Sequence, residues 1–137
     1  MANWTEKIPV TEITTDVTSV SVNFAERFGN YLGCTEQFNG QTLSKLTTSQ
    51  LRRFFGEVKR QQMMGYNQSD FVLLKPKLAY AVGRARKDAR RDTTSKIEDF
   101  YFVIADAIDK VRNADHFKNF IKIFEAIVAY HKAAEEK

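Results

Sequence analysis

"SKIEDFYFVIADAIDKVRN", residues 95–113, places Ile97, Tyr101, Ile104, Ile108 and Val111 at alternating spacings of four and three. That period puts all five on one side of an α-helix of about four turns, with Glu98, Asp99, Asp106 and Asp109 on an acidic side. A strand would alternate every second residue, and this stretch does not. The same test applied in both directions returns helix after helix.

Downstream, Asn113 to Asp115 breaks the pattern, and a last helix is predicted to bury Phe117, Phe120, Ile121, Phe124, Ile127 and Val128. Upstream, "LTTSQLRRFFGEVKRQQMM" (46–64) opens with Thr47 and Gln50, the two side chains of a capping box. Leu51, Phe54, Phe55 and Val58 follow at i, i+3, i+4 and i+7, a buried face. Val17, Val20, Phe24 and Phe28 predict a further helix from about Asp16, and GCTEQFNGQ (33–41) reads as a loop. Asn67 or Ser69 can cap the segment 70–91, and Pro76 predicts a kink or restart near Lys75. "DTTS" (92–95) offers caps for the helix after it. Residues 1–15 show no clear period and are expected to form a tail, with one helical domain over 16–137. The expected fold is all-α, a single-domain bundle of about five helices, in keeping with two Pro and six Gly in 137 residues.

The net charge of +4 conceals an uneven distribution. Residues 1–44 carry a net −3 and residues 92–137 a net −2, whereas residues 45–91 hold twelve basic and three acidic side chains, a net +9. Such asymmetry points to a polyanionic partner. It is densest in "LKPKLAYAVGRARKDARR" (74–91), with seven positive charges and one negative. On a helical wheel Leu78, Val82, Ala85 and Ala89 fall within about 60°, the side expected to pack. Opposite them Lys77, Tyr80, Arg84, Lys87 and Arg91 form a stripe of one sign, with Arg86 and Arg90 beside it. Like charges at helical spacing repel, so an ordinary solvated face mixes signs; an anionic ligand relieves the repulsion. Arg52 with Lys59, and Arg53 with Arg60, repeat the theme on helix 47–64.

Other chemistry is excluded or unsupported. One cysteine, Cys34, permits neither an internal disulfide nor a cysteine-based zinc site. His116 and His131 have no third ligand implied and are read as surface residues. No GxxxxGK[ST], GxSxG or HExxH occurs. No signal peptide and no run of eighteen apolar residues is present, so the chain reads as a soluble cytoplasmic binding protein without membrane contact, cofactor or enzymatic activity.

Two stretches, "LTTSQLRRFFGEVKR" (46–60) and "FVLLKPKLAYAVGRAR" (71–86), resemble the small helical subunit of the type III-A, Csm-type CRISPR effector complex. That family has an L-T-T-S-Q-[IL]-R-[KR] start to one helix and an L-K-P-K-L-A-Y-x-x-x-R segment in the next. The resemblance covers roughly residues 40–135 and leaves the first 40 unmatched. It implies a non-catalytic subunit whose copies stack as the inner filament of a ribonucleoprotein, opposite the backbone subunits and near the large subunit. Its basic face would run along the channel holding guide RNA and target RNA, in antiviral defence. The positions matching the family's motifs are Arg52, Arg53, Lys75, Lys77, Tyr80 and Arg84; charge geometry alone adds Lys59, Arg86, Lys87, Arg90 and Arg91. Sequence-independent contact with phosphates and sugars is the expected mode. Two alternatives stay open on the residues: a helix-turn-helix DNA-binding protein, against which the long loop before Thr47 counts, and a helical adaptor for an acidic protein.

Overall fold

The computed structural model describes residues 4–135 and orders them as α1 (Val10–Thr14), α2 (Ser19–Leu32), β1 (Glu36–Phe38), β2 (Gln41–Ser44), α3 (Thr48–Met64), α4 (Gln68–Val72), α5 (Leu74–Asp88), β3 (Thr93–Ser95), α6 (Ile97–Lys110) and α7 (Ala114–Glu135). Five long helices build the domain, as expected, and two single-turn helices and a small sheet are added to them. Met1–Asn3, at the start of the expected tail, and Glu136 and Lys137, at the end of the expected domain, lie outside the described residues.

α6 runs through the middle of the core. Ile97, Phe100, Val103, Ile104, Ala107 and Ile108 are buried on it. Phe124 of α7 links the layers, with ring centroids 5.6 Å from Phe54 of α3, 5.8 Å from Phe100 and 5.8 Å from Phe120. The most intimate helix pair is α2 with α7. A Cβ placed on Gly29 would stand 2.6 Å from Tyr130 Cβ, and one on Gly33 2.8 Å from Ala134 Cβ, so only hydrogen lets the two backbones approach.

The N-terminal segment, without sequence period, nonetheless buries Ile8 and Ile13, while Trp4 packs on Phe28 and Tyr31. Its α1 delivers Glu12 to the start of α2. That buried carboxylate accepts hydrogen bonds from Thr18 N (2.8 Å), Ser21 N (3.1 Å) and both hydroxyls, satisfying amide groups that a helix N-terminus leaves free. Helix α2 therefore begins at Ser19, later than expected. Val17 precedes it and Val20 faces solvent; its inward face is Ser21, Phe24, Ala25, Phe28, Gly29 and Leu32.

Two features expected around α3 and α5 are present. Thr47 and Gln50 form both halves of the capping box. Leu73 ends α4 and begins α5, which places Pro76 in the first turn, where a missing N–H costs nothing. Asn67 caps α4.

The presumed loop 33–41 is in part a strand. Asn39 (φ 51°) and Gly40 (φ 75°) make a two-residue turn that folds β1 antiparallel onto β2, with Glu36 opposite Leu43. β3 then joins β2 in parallel, Thr42 beside Thr93 and Ser44 beside Ser95. So α2 and α3 are joined by a hairpin, not by the tight turn of a helix-turn-helix. Lys96, fully buried, pins this sheet to the helices: its Nζ donates to Tyr31 O (2.7 Å) and Glu36 Oε1 (2.6 Å).

His131 is also a core residue, correcting the surface reading. It is 1% exposed, and its Nε2 donates to the Leu46 carbonyl at 2.6 Å. His116 keeps the local role of accepting from Arg112 N at the start of α7.

Candidate nucleic-acid interface

The basic residues of 45–91 gather on α3, α5 and the turn that follows. On α5 the inward side is Leu74, Leu78 and Val82, with Ala81 and Ala85 partly buried. Lys77, Tyr80, Arg84 and Lys87 project outward, Tyr80 being 69% exposed. The expected stripe is thus present for three helical turns, and then it stops. Ala89 is extended (φ −67°, ψ 142°), so Ala89, Arg90 and Arg91 lie beyond the helix. The cause is tertiary: Thr42 N bonds to Asp92 O, and the chain must turn at Arg90–Asp92 to lay β3 beside β2. Asp92 takes a left-handed φ of 60° to do so. Arg90 and Arg91 are exposed at that corner and are not members of the helical stripe.

Ion pairs then sort the cations. Lys75 reaches Asp109 at 2.8 Å and Arg86 reaches Glu98 at 2.7 Å, so α6's acidic side neutralises one flank of α5. The hydrogen bond it donates to Asp109 holds the Lys75 ammonium above the usual lysine range, and the bond to Glu98 does the same for the Arg86 guanidinium. Lys59 is paired with Glu125 at 3.0 Å. Lys77 meets Glu57 at 3.5 Å, a carboxylate also held by Arg60. Hydrogen bonding from Arg60, against burial and together with Lys77, lowers the Glu57 pKa. Among the described residues no ion pair forms to Arg52, Arg53, Arg84, Lys87, Arg90 or Arg91.

α3 and α5 are not packed flush. A groove of about 770 Å³ lies between them, and Arg53, Lys77 and Arg84 all line it, so the two basic helices do share one surface. The sequence reading missed the groove and three of its charges, Lys45, Glu57 and Asp88. A wheel treats one helix at a time and cannot show that two helices diverge.

Among the described residues no group of three or more His, Cys, Asp or Glu is placed to hold a metal, and no helix is long and apolar enough to cross a membrane. The arrangement defines a class: a helical domain with one unneutralised cationic face, suited to contact with polyanions. Comparison makes the class specific. A family model described as Csm2 Type III-A matches residues 25–137, and the chain belongs to that family, the small subunit of type III-A CRISPR complexes. It is thereby a member of an effector complex with the other Csm subunits. No curated protein and no solved structure matched the chain.

Proposed function

We propose that this small subunit contacts the guide RNA and target RNA of its complex through the face built by α3 and α5, without reading their sequence and without catalysis of its own. The observation that carries this reading is the sorting of charge on α5. Lys75 and Arg86 are neutralised by α6, whereas Arg84 and Lys87 stand exposed, one turn apart and without counter-ions. Two like charges at that spacing are mildly unfavourable alone, and a phosphodiester backbone removes the penalty.

Tyr80, on the same face, offers a ring for stacking on a base or sugar. Arg52 adds an exposed cation on α3, and Arg90 and Arg91 extend the surface around the corner toward β3; Arg53 stands at the groove wall beside it. Lys59, Lys75, Lys77 and Arg86, already paired, contribute less. Contacts of this kind recognise the backbone, so base pairing between guide and target supplies the specificity. Copies of the subunit stacked as a filament would multiply weak individual contacts.

The test is the double substitution Arg84→Glu with Lys87→Glu in the assembled complex. We expect target-RNA affinity to fall about tenfold or more, roughly 1.4 kcal/mol, with the subunit still folded and incorporated. Unchanged affinity in a fully assembled variant would sink the reading.

A further inference from the structure

We infer that the groove between α3 and α5 is a docking site for an acidic amphipathic helix of another protein subunit, adjoining the RNA-facing side of α5 with Arg84 at the edge the two share. Its floor is apolar: half-buried Ala81 and Ala85 of α5 lie over the buried Leu46, Phe54, Leu78 and Phe100. Both ends are defined. The Glu57–Lys77 pair bridges the two helices at one end, and the β2–β3 strands, from which α3 departs and to which α5 leads, stand at the other. From Lys77 to Ala89 the wall runs twelve residues, about 18 Å, or some three helical turns. A row of apolar side chains spaced i, i+3, i+4 and i+7 matches such a floor.

The charges along the groove choose between occupants. Arg53 on one wall and Arg84 on the other have no ion pair among the described residues, which favours acidic residues flanking the apolar row. Asp88 also lines the groove and, among the described residues, has no ion pair. Every residue of an RNA strand presents a phosphate, and neither Glu57, Asp88 nor an apolar floor suits it. A peptide helix can set Asp or Glu against the two arginines and a single Lys or Arg against Asp88. Tyr80 and Lys87 do not line the groove, so RNA on the outer face and a helix in the groove meet only at Arg84.

The experiment uses the reconstituted complex with a diazirine amino acid of leucine size at position 81, followed by irradiation and mass spectrometry of the adducts. The expected adduct is a peptide of a different subunit with acidic residues flanking an apolar row. Ala81→Trp, which fills the groove and touches no charge, is expected to weaken retention of that same subunit about tenfold. Adducts confined to RNA, to another copy of this chain or to solvent overturn the proposal. They do so whatever the charge reversal gives, because the crosslink is read with Arg84 and Lys87 intact. If the tryptophan variant fails to fold, the crosslink alone decides.

Discussion

Helices α2 and α7 touch backbone to backbone, while α3 and α5 stand apart with a groove between them. Glycines sit on three of these helices and serve opposite ends. Gly29 and Gly33 of α2 leave no room for a Cβ against α7, whereas Gly56 of α3 and Gly83 of α5 have nothing within 4 Å. The first pair spends its whole interface on contact. The second keeps apolar surface and unpaired arginines available. Stability and recognition are therefore housed on different helix pairs, and substitutions should separate them.

Gly29→Leu strikes the tight pair hardest. Its Cβ would meet Tyr130 Cβ at 2.6 Å and His131 N at 2.9 Å, and backbone cannot yield as a side chain can. We expect a loss of about 3 kcal/mol or outright unfolding, read by urea denaturation. Glu12→Ala is next, because it orphans the Thr18 amide and removes the acceptor of the Thr18 and Ser21 hydroxyls at the start of α2; about 2 kcal/mol is expected. This loss depends on pH in a defined direction. Burial raises the Glu12 pKa, but the hydrogen bonds from Ser21 and Thr18 outweigh it and the net shift is downward. Its contribution is therefore complete above the ordinary carboxylate range near 4.5 and fades as pH falls through the depressed folded-state value. Wild type and variant should converge in acid; a constant gap between pH 7 and pH 3 would contradict the role.

On the open pair the effects should appear in binding. Lys87→Ala should lower the slope of log affinity against log salt by about 0.7, the loss of one single-strand phosphate contact. Arg86→Ala, one residue away but held by Glu98, should leave that slope nearly unchanged. Equal changes in the two variants would erase the distinction between free and neutralised cations on α5.

The tight pair and the open pair also differed in how far sequence could reach. Leu51, Phe54 and Val58 announce the buried face of α3 because one period repeats without interruption, and the Thr47–Gln50 box marks its start. Local chemistry determines such features, so a linear reading finds them. β1 and β2 are too short to show a period, and the hairpin's clearest signal, Asn39-Gly40, fell inside what looked like a loop. β3 pairs with β2 across fifty residues, and no local pattern encodes that. Its consequence is functional: Ala89, Arg90 and Arg91 suit a helix, yet the strand pairing ends α5 at Asp88 and removes Arg91 from the stripe. Neutralisation of Lys75 and Arg86 was equally out of reach, since α6's acids were visible but their neighbour was not. Charge composition located the face; only packing told free cations from paired ones.

The smallest predicted effect tests the comparison most cleanly. Gly83 lies inside α5, in helical backbone, with open space where its Cβ would go. Glycine in a helix interior costs about 0.5–1 kcal/mol relative to alanine, chiefly through the freedom of the unfolded chain. Gly83→Ala should therefore raise stability by that amount, whereas Gly29→Ala, the same chemical change, should lower it. A shared sign would mean that the outer side of α5 at Gly83 is as closely packed in solution as α2 is against α7. Opposite signs, with RNA affinity retained in Gly83→Ala, would show that α5 is held by its inner face alone. The outer face would then be free to serve a ligand without being needed for the fold.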